Sequence, residues 1–184
     1  MFGPVLRGEG VTLRPPTPDD AQRFVDWFAD TEVTRFLGRR TPPAKHEEEE
    51  WLKKLAEGDN DVFWTIETEG TPIGAIGIHE IDWINAHAST GIMIGDKSYW
   101  RRGIASEAMR LRTRFAFREL NLHKLSTEVF ADNVASRRTL EKAGYRQVGT
   151  RREERWSDGR WHDMWLAEVL RADWEGRQGE SDRS

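Results

Sequence analysis

The chain has 184 residues and a formal net charge of −4, with 28 Lys and Arg against 32 Asp and Glu. With 37% hydrophobic and 33% charged residues it has the composition of one folded domain, and its acidic balance argues against nucleic acid or an anionic membrane as a partner. The absence of cysteine excludes disulfides, thiolate metal sites and a cysteine-bound acyl intermediate.

Runs rich in β-branched and aromatic residues predict strands at residues 11–14, 61–68, 73–80, 88–94, 125–130, 146–156 and 161–170. Apolar residues at helical spacing predict helices at 17–30, 44–57 and 134–143, and a longest helix from Gly103 onward. The turn signal at 70–72 predicts an antiparallel meander from 61 to 94. We expect a single domain over residues 1–174 and a polar, flexible tail over 175–184.

No stretch of the sequence is suited to enter a membrane. The first ten residues, MFGPVLRGEG, have no apolar core, and no later apolar run approaches the ~20 residues of a membrane span. We therefore expect a cytoplasmic protein without a membrane partner.

The stretch from Gly95 to Ala108, GDKSYWRRGIASEA, leads from a strand through a polar turn into a helix. The first turn of a helix has backbone N–H groups without intrahelical acceptors, and the helix dipole adds positive charge there. Small residues at 103 and 105 leave room for phosphate oxygens, and arginines at 101 and 102 add charge. This indicates a pyrophosphate site, with an ordinary helix start as the alternative. The patterns of dinucleotide-binding and nucleotide-triphosphate loops are absent.

A second segment from Asn133 to Tyr145, NVASRRTLEKAGY, opens another helix after the next strand. Together with YWRRGIASEA it resembles the GNAT-superfamily N-acetyltransferases over nearly the whole chain, and among them the RimJ/RimL-like branch, which acetylates protein N-termini. The resemblance implies an α+β, three-layer α/β/α fold with about four helices and a mixed, mostly antiparallel sheet containing a splayed strand pair. It also implies acetyl-coenzyme A (acetyl-CoA) as co-substrate.

The resemblance assigns roles to residues of both segments. Residues 93–95 would line the pantetheine arm, backbone groups of 101–105 would hold the pyrophosphate, Asn133 would hydrogen-bond the cofactor and Ser136 would lie near its sulfur. The implied cofactor-binding residues are Met93, Ile94, Gly95, Arg101, Arg102, Gly103, Ile104, Ala105, Asn133 and Ser136. Helix capping is the alternative explanation for Asn133 and Ser136, and an ordinary core strand is the alternative for 88–94.

Acetyl transfer to an amine needs an oxyanion donor, a proton for the leaving thiolate and a base. We expect the backbone N–H of Ile94 or its neighbours to serve the oxyanion and the Ser136 hydroxyl to protonate the sulfur. The glutamate that many relatives carry just before the glycine of this strand is replaced here by Ser89 and Thr90, and a tyrosine that some relatives use on the later helix is absent. Asp82 is our candidate base.

Several other groups remain open as the base. They are Glu80, Glu154, Asp163, the histidines His79, His87 and His162, and a water chain. No second ligand stands at metal spacing from any histidine, so we expect no metal site.

An acceptor with a low amine pKa suits a site with a weak base. An α-amino group with a pKa near 8 is roughly 10% neutral at pH 7, whereas a lysine side chain is about 0.04% neutral. This favours the α-amine of a protein or peptide N-terminus. The alternatives are a small amine such as a polyamine, amino sugar or antibiotic, and a noncatalytic acyl-CoA sensor. The sequence also leaves a homodimer open.

Overall fold

A computed structural model of the chain describes residues 1–39 and 41–181. Within these residues, eight strands form one sheet in the order β1-β2-β3-β4-β5-β6-β8-β7. The strands are β1 (Leu6–Arg7), β2 (Thr12–Arg14), β3 (Val62–Thr68), β4 (Thr71–Asp82), β5 (His87–Ile94), β6 (Lys124–Phe130), β7 (Arg146–Ser157) and β8 (Arg160–Leu170). All neighbouring strands are antiparallel except β5 and β6, which are parallel.

Helices cover both faces of this sheet. They are α1 (Asp20–Ala29), α2 (Thr31–Thr34), α3 (Lys45–Glu57), α4 (Ile104–Arg118), α5 (Val134–Lys142) and α6 (Arg171–Ser181), with a short 3-10 helix at Lys97–Tyr99. On one face α1 and α3 pack against β3 and β4 through Phe24, Leu52 and Phe63. On the other face α4, α5 and α6 contribute Met109, Leu140 and Trp174 to the larger core. These three layers confirm the predicted α+β fold with a mixed sheet.

The four predicted helices are all present, and α4 has 15 residues. The sequence did not show β1 or α2, because two and four residues are too few to establish a period. It also did not show α6, whose stretch is nearly all polar; Trp174 anchors this helix and is only 5% exposed. Because α6 extends to Ser181, residues 175–181 are helical. Residues 182–184 lie outside the described residues, and the flexibility of 175–184 stays a prediction.

Helix α1 begins at Asp20, three residues later than predicted. The Asp20 carboxylate accepts hydrogen bonds from the Thr17 backbone N–H at 2.8 Å and from the Arg14 guanidinium at 2.7 Å. These bonds outweigh the effect of burial, so the pKa of Asp20 lies below its usual value. The ion pair ties α1 to β2 and thereby fixes the helix above the sheet.

Candidate active site

β5 and β6 separate after a short parallel ladder, and a cleft of about 920 Å³ opens between them. Their pairing ends at Ser89 opposite Ser126. Beyond this point the Thr127 hydroxyl donates to the Thr90 carbonyl oxygen at 3.0 Å, and the Thr90 hydroxyl donates to the Ser126 carbonyl oxygen at 3.1 Å. Side-chain hydroxyls thus replace backbone pairing where the strands diverge, and the splayed pair expected from the sequence is present.

The edge of β5 that faces the cleft carries backbone groups of alternate residues. The Gly95 N–H donates to the Ile73 carbonyl oxygen at 2.9 Å. Because an antiparallel ladder alternates, the N–H and C=O groups of Ile92 and Ile94 point away from β4, toward the cleft. The Ile94 carbonyl oxygen accepts from Trp100 Nε1 at 2.8 Å. Three backbone groups thus point into the cleft, where they could bind a molecule lying along this edge: Ile92 N–H, Ile92 C=O and Ile94 N–H.

The predicted trio 93–95 divides into three different positions. Ile94 presents its N–H to the cleft, while Met93 lines the cleft but directs its backbone toward Ala75 of β4. Gly95 is buried and lies outside the cleft lining, where a methyl group on it would meet the Trp27 ring at 2.1 Å. The sequence missed Ile92, although strand alternation from Ile94 was a signal for it.

The N-terminus of α4 forms one end of the cleft. Gly103 precedes the helix with φ 82°, a left-handed conformation that favours glycine, and a methyl group placed on it would meet nothing within 4 Å. The backbone N–H groups of Ile104 and Ala105 belong to the first turn and have no intrahelical acceptors. Open space, a glycine backbone and unsatisfied donors at a positive helix end fit a pyrophosphate. Arg101 and Arg102 also line this end.

The N-terminus of α5 lies on the β6 side of the cleft. Asn133 Oδ1 accepts from the Ser136 backbone N–H at 3.2 Å, so the side chain of Asn133 caps the helix. Both residues are half-buried and line the cleft. Since the cap uses only Oδ1, the Nδ2 donor of Asn133 is left for a ligand. Capping and cofactor binding are therefore compatible here.

Aromatic rings from α1, α3 and β3 form the opposite end of the cleft. They belong to Phe24, Phe28, Trp51 and Phe63, and Trp51 meets Phe63 edge-on at 5.0 Å. Among them lies Glu48, which is 4% exposed. Burial raises the pKa of Glu48, and the charge of Arg39 opposes this shift. This end of the cleft is thus apolar with one buried carboxylate.

The candidate base Asp82 lies outside the cleft lining, at the last residue of β4, where the turn to β5 begins. Its carboxylate accepts from the backbone N–H groups of Ile84 at 3.0 Å and Asn85 at 2.9 Å, and from the Asn85 side chain at 2.7 Å. The bonds from Asn85 hold the pKa of Asp82 below its usual value, which makes it a weaker base. This geometry argues against Asp82 as the base.

The other acidic candidates and two of the histidines also lie outside the cleft lining. They are Glu80, Glu154, Asp163, His87 and His162. His162 is buried, with Nδ1 3.0 Å from Asp132 Oδ2 and Nε2 3.0 Å from the Ser157 carbonyl oxygen. Its ring therefore ties β8 to neighbouring loops. His79 does line the cleft.

Arg112 is a cleft residue that the sequence placed on the solvent face of α4. It is 1% exposed, and its Nη2 donates to the Tyr145 hydroxyl at 3.0 Å. That hydroxyl lies 3.2 Å from the Thr90 hydroxyl. Burial lowers the pKa of Arg112. Helical spacing was a signal for its burial, because the buried residues Ala108, Met109 and Ala116 lie on the same face of α4, whereas the arginines two residues to either side lie on the opposite face.

The described part of the chain has neither a helix suited to cross a membrane nor a cluster suited to bind a metal ion. No helix there combines the length and the apolar composition that a membrane crossing requires. No three His, Asp or Glu side chains among these residues are grouped so that they could hold a metal ion.

Comparison with known proteins defines the class. Residues 11–146 match the model of the acetyltransferase (GNAT) domain. The chain is 30% identical to the uncharacterized N-acetyltransferase YoaA of Bacillus subtilis (strain 168), over 93% of this chain and 98% of YoaA. It is 26% identical to YdaF of the same strain, whose name places it provisionally among ribosomal N-acetyltransferases, over 92% of this chain and 96% of YdaF. The chain belongs to the GNAT acetyltransferases.

A solved structure shows the same fold. The spermidine N-acetyltransferase of Vibrio cholerae, in complex with CoA and spermine, superposes with a TM-score of 0.86 at 21% identity, over 91% of this chain and 99% of that chain. The protein is thus an acetyl-CoA-dependent N-acetyltransferase, which confirms the predicted enzyme class.

Proposed function

We propose that this N-acetyltransferase passes the acetyl group directly to the α-amine of a protein or peptide N-terminus, as in the RimJ/RimL-like branch. The observation that carries the proposal is the acceptor end of the cleft, where aromatic rings surround the buried Glu48. One negative charge among aromatic rings fits one ammonium group attached to an apolar residue. The similarity to YdaF supports the same class of acceptor.

The charges of the cleft also bear on the main rival, a polyamine. Two further carboxylates line the cleft, but Glu32 lies 2.9 Å from Lys97 Nζ, and Glu128 lies 2.8 Å from Arg151 and 3.2 Å from Arg155. Glu48 is therefore the one cleft carboxylate of the described residues without an ion pair of this kind. A polyamine carries several charges and is held best by several unpaired carboxylates.

A small-molecule amine remains the second candidate, because the structure of similar fold was solved with spermine. A panel separates the two acceptors: peptides with a free N-terminus, N-terminally blocked peptides containing lysine, spermidine and an aminoglycoside. Release of the CoA thiol and the mass of the product are measured. Acetylation of lysine or spermidine without acetylation of any free N-terminus would overturn the proposal.

We further propose how the cleft works. The amides of Gly103 to Ala105 hold the pyrophosphate, with Arg101 and Arg102 adding charge, and Asn133 Nδ2 donates to the cofactor. Acetyl-CoA supplies the thioester. The N–H of Ile94, with that of Ile92, stabilises the charge that develops on the carbonyl oxygen, and Ser136 protonates the departing sulfur.

The thiol assay also tests the noncatalytic alternative. CoA binding with no thiol release for any amine would indicate a sensor. A cytoplasmic location and a homodimer stay predictions of the sequence.

A further inference from the structure

The imidazole of His79 has a defined orientation on the face of the sheet that α1 and α3 cover. Its Nδ1 lies 3.1 Å from Asp61 Oδ1. A methyl group on Gly77 would lie 2.3 Å from Nε2, and one on Gly91 would lie 3.7 Å from it. The ring therefore extends over Gly77 toward β5 and fills space that side chains at these two positions would otherwise occupy.

The Asp61 carboxylate selects one tautomer of this ring. A carboxylate accepts hydrogen bonds, so the neutral imidazole carries its proton on Nδ1 and donates it to Asp61. The lone pair then lies on Nε2, the nitrogen above Gly77 and Gly91. His79 is 31% exposed through the cleft, so a bound amine can approach this lone pair.

This nitrogen lies beside the site of the missing glutamate. His79 pairs directly with Ser89 across β4 and β5, and directly paired side chains share one face of a sheet. The Ser89 hydroxyl donates to the His79 carbonyl oxygen at 3.3 Å, so it does not extend into the cleft. Nε2 lies next to Gly91, and the following residue, Ile92, directs its N–H from the edge of β5 into the cleft, where we place the thioester. A base on Nε2 and the donors of that edge are thus neighbours.

We propose that His79, oriented by Asp61, is the general base that removes a proton from the acceptor ammonium. The proposal rests on the proposed function. The ammonium N–H bond breaks, its proton bonds to Nε2, and the nitrogen lone pair becomes free. The neutral amine then attacks the thioester carbonyl carbon, and the carbon–sulfur bond breaks. Ser136 gives its hydroxyl proton to the sulfur and takes the amine's second proton in return, and His79 passes its proton to water. Asp61 is a positioning residue.

Other ionisable groups surround this site and have to be separated from it. Asp61 faces Nδ1, Glu80 follows His79 and is directed toward Ser89, and Glu48 reaches the same cleft from α3. Glu48 is the strongest competitor, because a raised pKa also suits a base. We assign Glu48 to holding the ammonium, since it belongs to the helix layer, whereas His79 lies on the strand paired with β5.

The test replaces the base and keeps its hydrogen bond. In His79→Asn the amide can still donate to Asp61, but Nε2 is gone. We expect kcat/KM at pH 7 to fall about tenfold, because only about 10% of an α-amine is neutral there without a base. The loss should shrink to about twofold at the amine pKa and vanish above it, because neutral amine then becomes available without a base. His46→Asn, at an exposed position of α3, is the matched control and should leave kcat/KM unchanged.

Two further readouts separate base from structure. Nitrogen-15 spectra of the wild-type imidazole should show the Nδ1–H tautomer, and Asp61→Asn should shift it toward Nε2–H with about a tenfold loss in kcat. A loss in His79→Asn that is the same at every pH, or a pH-dependent loss in Glu48→Gln instead, would overturn the proposal.

Calorimetry with CoA, together with the activity of the variant, separates a failure of the proposed function from a failure of the base assignment. Wild-type protein that binds CoA but acetylates no amine would refute the proposed function itself. Active wild-type protein with an equally active His79→Asn variant would refute only the assignment of the base.

Discussion

The two ends of the cleft differ in whether backbone groups or side chains line them. At the proposed cofactor end most of the binding groups are backbone amides of the α4 N-terminus and the β5 edge, held by secondary structure, and the side chains of Arg101, Arg102 and Asn133 add to them. At the acceptor end they are side chains, namely aromatic rings, Glu48 and His79. Backbone donors persist through most substitutions, whereas side chains change with one codon. The cofactor end should therefore resist all but conformational changes, and single side chains should set the acceptor.

The largest expected effect comes from a conformational change at the cofactor end. Gly103→Val puts a β-branched residue at φ 82° and fills the space open for phosphate oxygens. Losing two charge-assisted hydrogen bonds should weaken CoA binding about 100-fold. Titration calorimetry measures this. Gly10→Val is the matched control, because Gly10 has φ 66° and equally open surroundings outside the cleft lining. Equal CoA affinity in both variants would show that this helix end does not hold the phosphates.

The same contrast explains how much the sequence could predict. The meander, α4 and the final hairpin were predictable because long periodic runs and the turn at Asp158–Gly159 are local signals. The features that favour a phosphate site at the α4 N-terminus could be predicted because each is local: a glycine, small neighbours and a helix start.

The acceptor end could not be predicted in this way. Glu48 lies in the acidic run Glu47 to Glu50, a pattern typical of a solvated helix face, and only the packing of α3 buries it. His79 and Asp61 are 18 residues apart, and strand register brings them together. Asp82 looked suitable as a base from its residue type, and its turn hydrogen bonds were not apparent from the sequence.

A smaller effect is expected at Asn133, a side chain that both caps the backbone of α5 and is proposed to bind the cofactor. Asn133→Asp keeps the Oδ1 cap on Ser136 but replaces the Nδ2 donor with a negative charge. We expect CoA affinity to fall about tenfold, the cost of one hydrogen bond and some repulsion, with the free energy of unfolding unchanged. Asn133→Ala removes the cap as well and should lower the free energy of unfolding by about 1 kcal/mol. Unchanged CoA affinity in Asn133→Asp would leave Asn133 as a cap alone.

Glu48→Gln tests the acceptor end and has opposite effects on binding and stability. Loss of the charge should raise the acceptor KM about fivefold without changing CoA affinity, as expected for one partly screened ion pair. Because burial raises the pKa of Glu48, the folded chain binds this proton more tightly than the unfolded chain does. The carboxylate then lowers stability as the pH rises through that pKa.

Unfolding measurements at several pH values test whether the Glu48 carboxylate lowers the free energy of unfolding. The variant should be more stable than wild type by about 1 kcal/mol at neutral pH, with the difference vanishing toward acid, as expected when a buried charge becomes a neutral amide. Glu50→Gln, at an exposed position of the same helix, should change neither quantity. A variant with unchanged KM would show that the acceptor ammonium binds elsewhere.

The smallest effect should follow from Asp82→Asn, since Asp82 belongs to neither end of the cleft. An asparagine oxygen can still accept from the backbone N–H groups of Ile84 and Asn85, so the turn should persist. The pKa of Asp82 is lowered in the folded chain, so its ionised form stabilises the fold above the unfolded pKa and that contribution is lost as the pH falls through the folded pKa. The variant should lose this acid-dependent part of the unfolding curve, while kcat and its pH profile stay unchanged. A pH-dependent loss of kcat with normal CoA binding would mean that Asp82 reaches the amine, and the separation of the turn from the cleft would then be wrong.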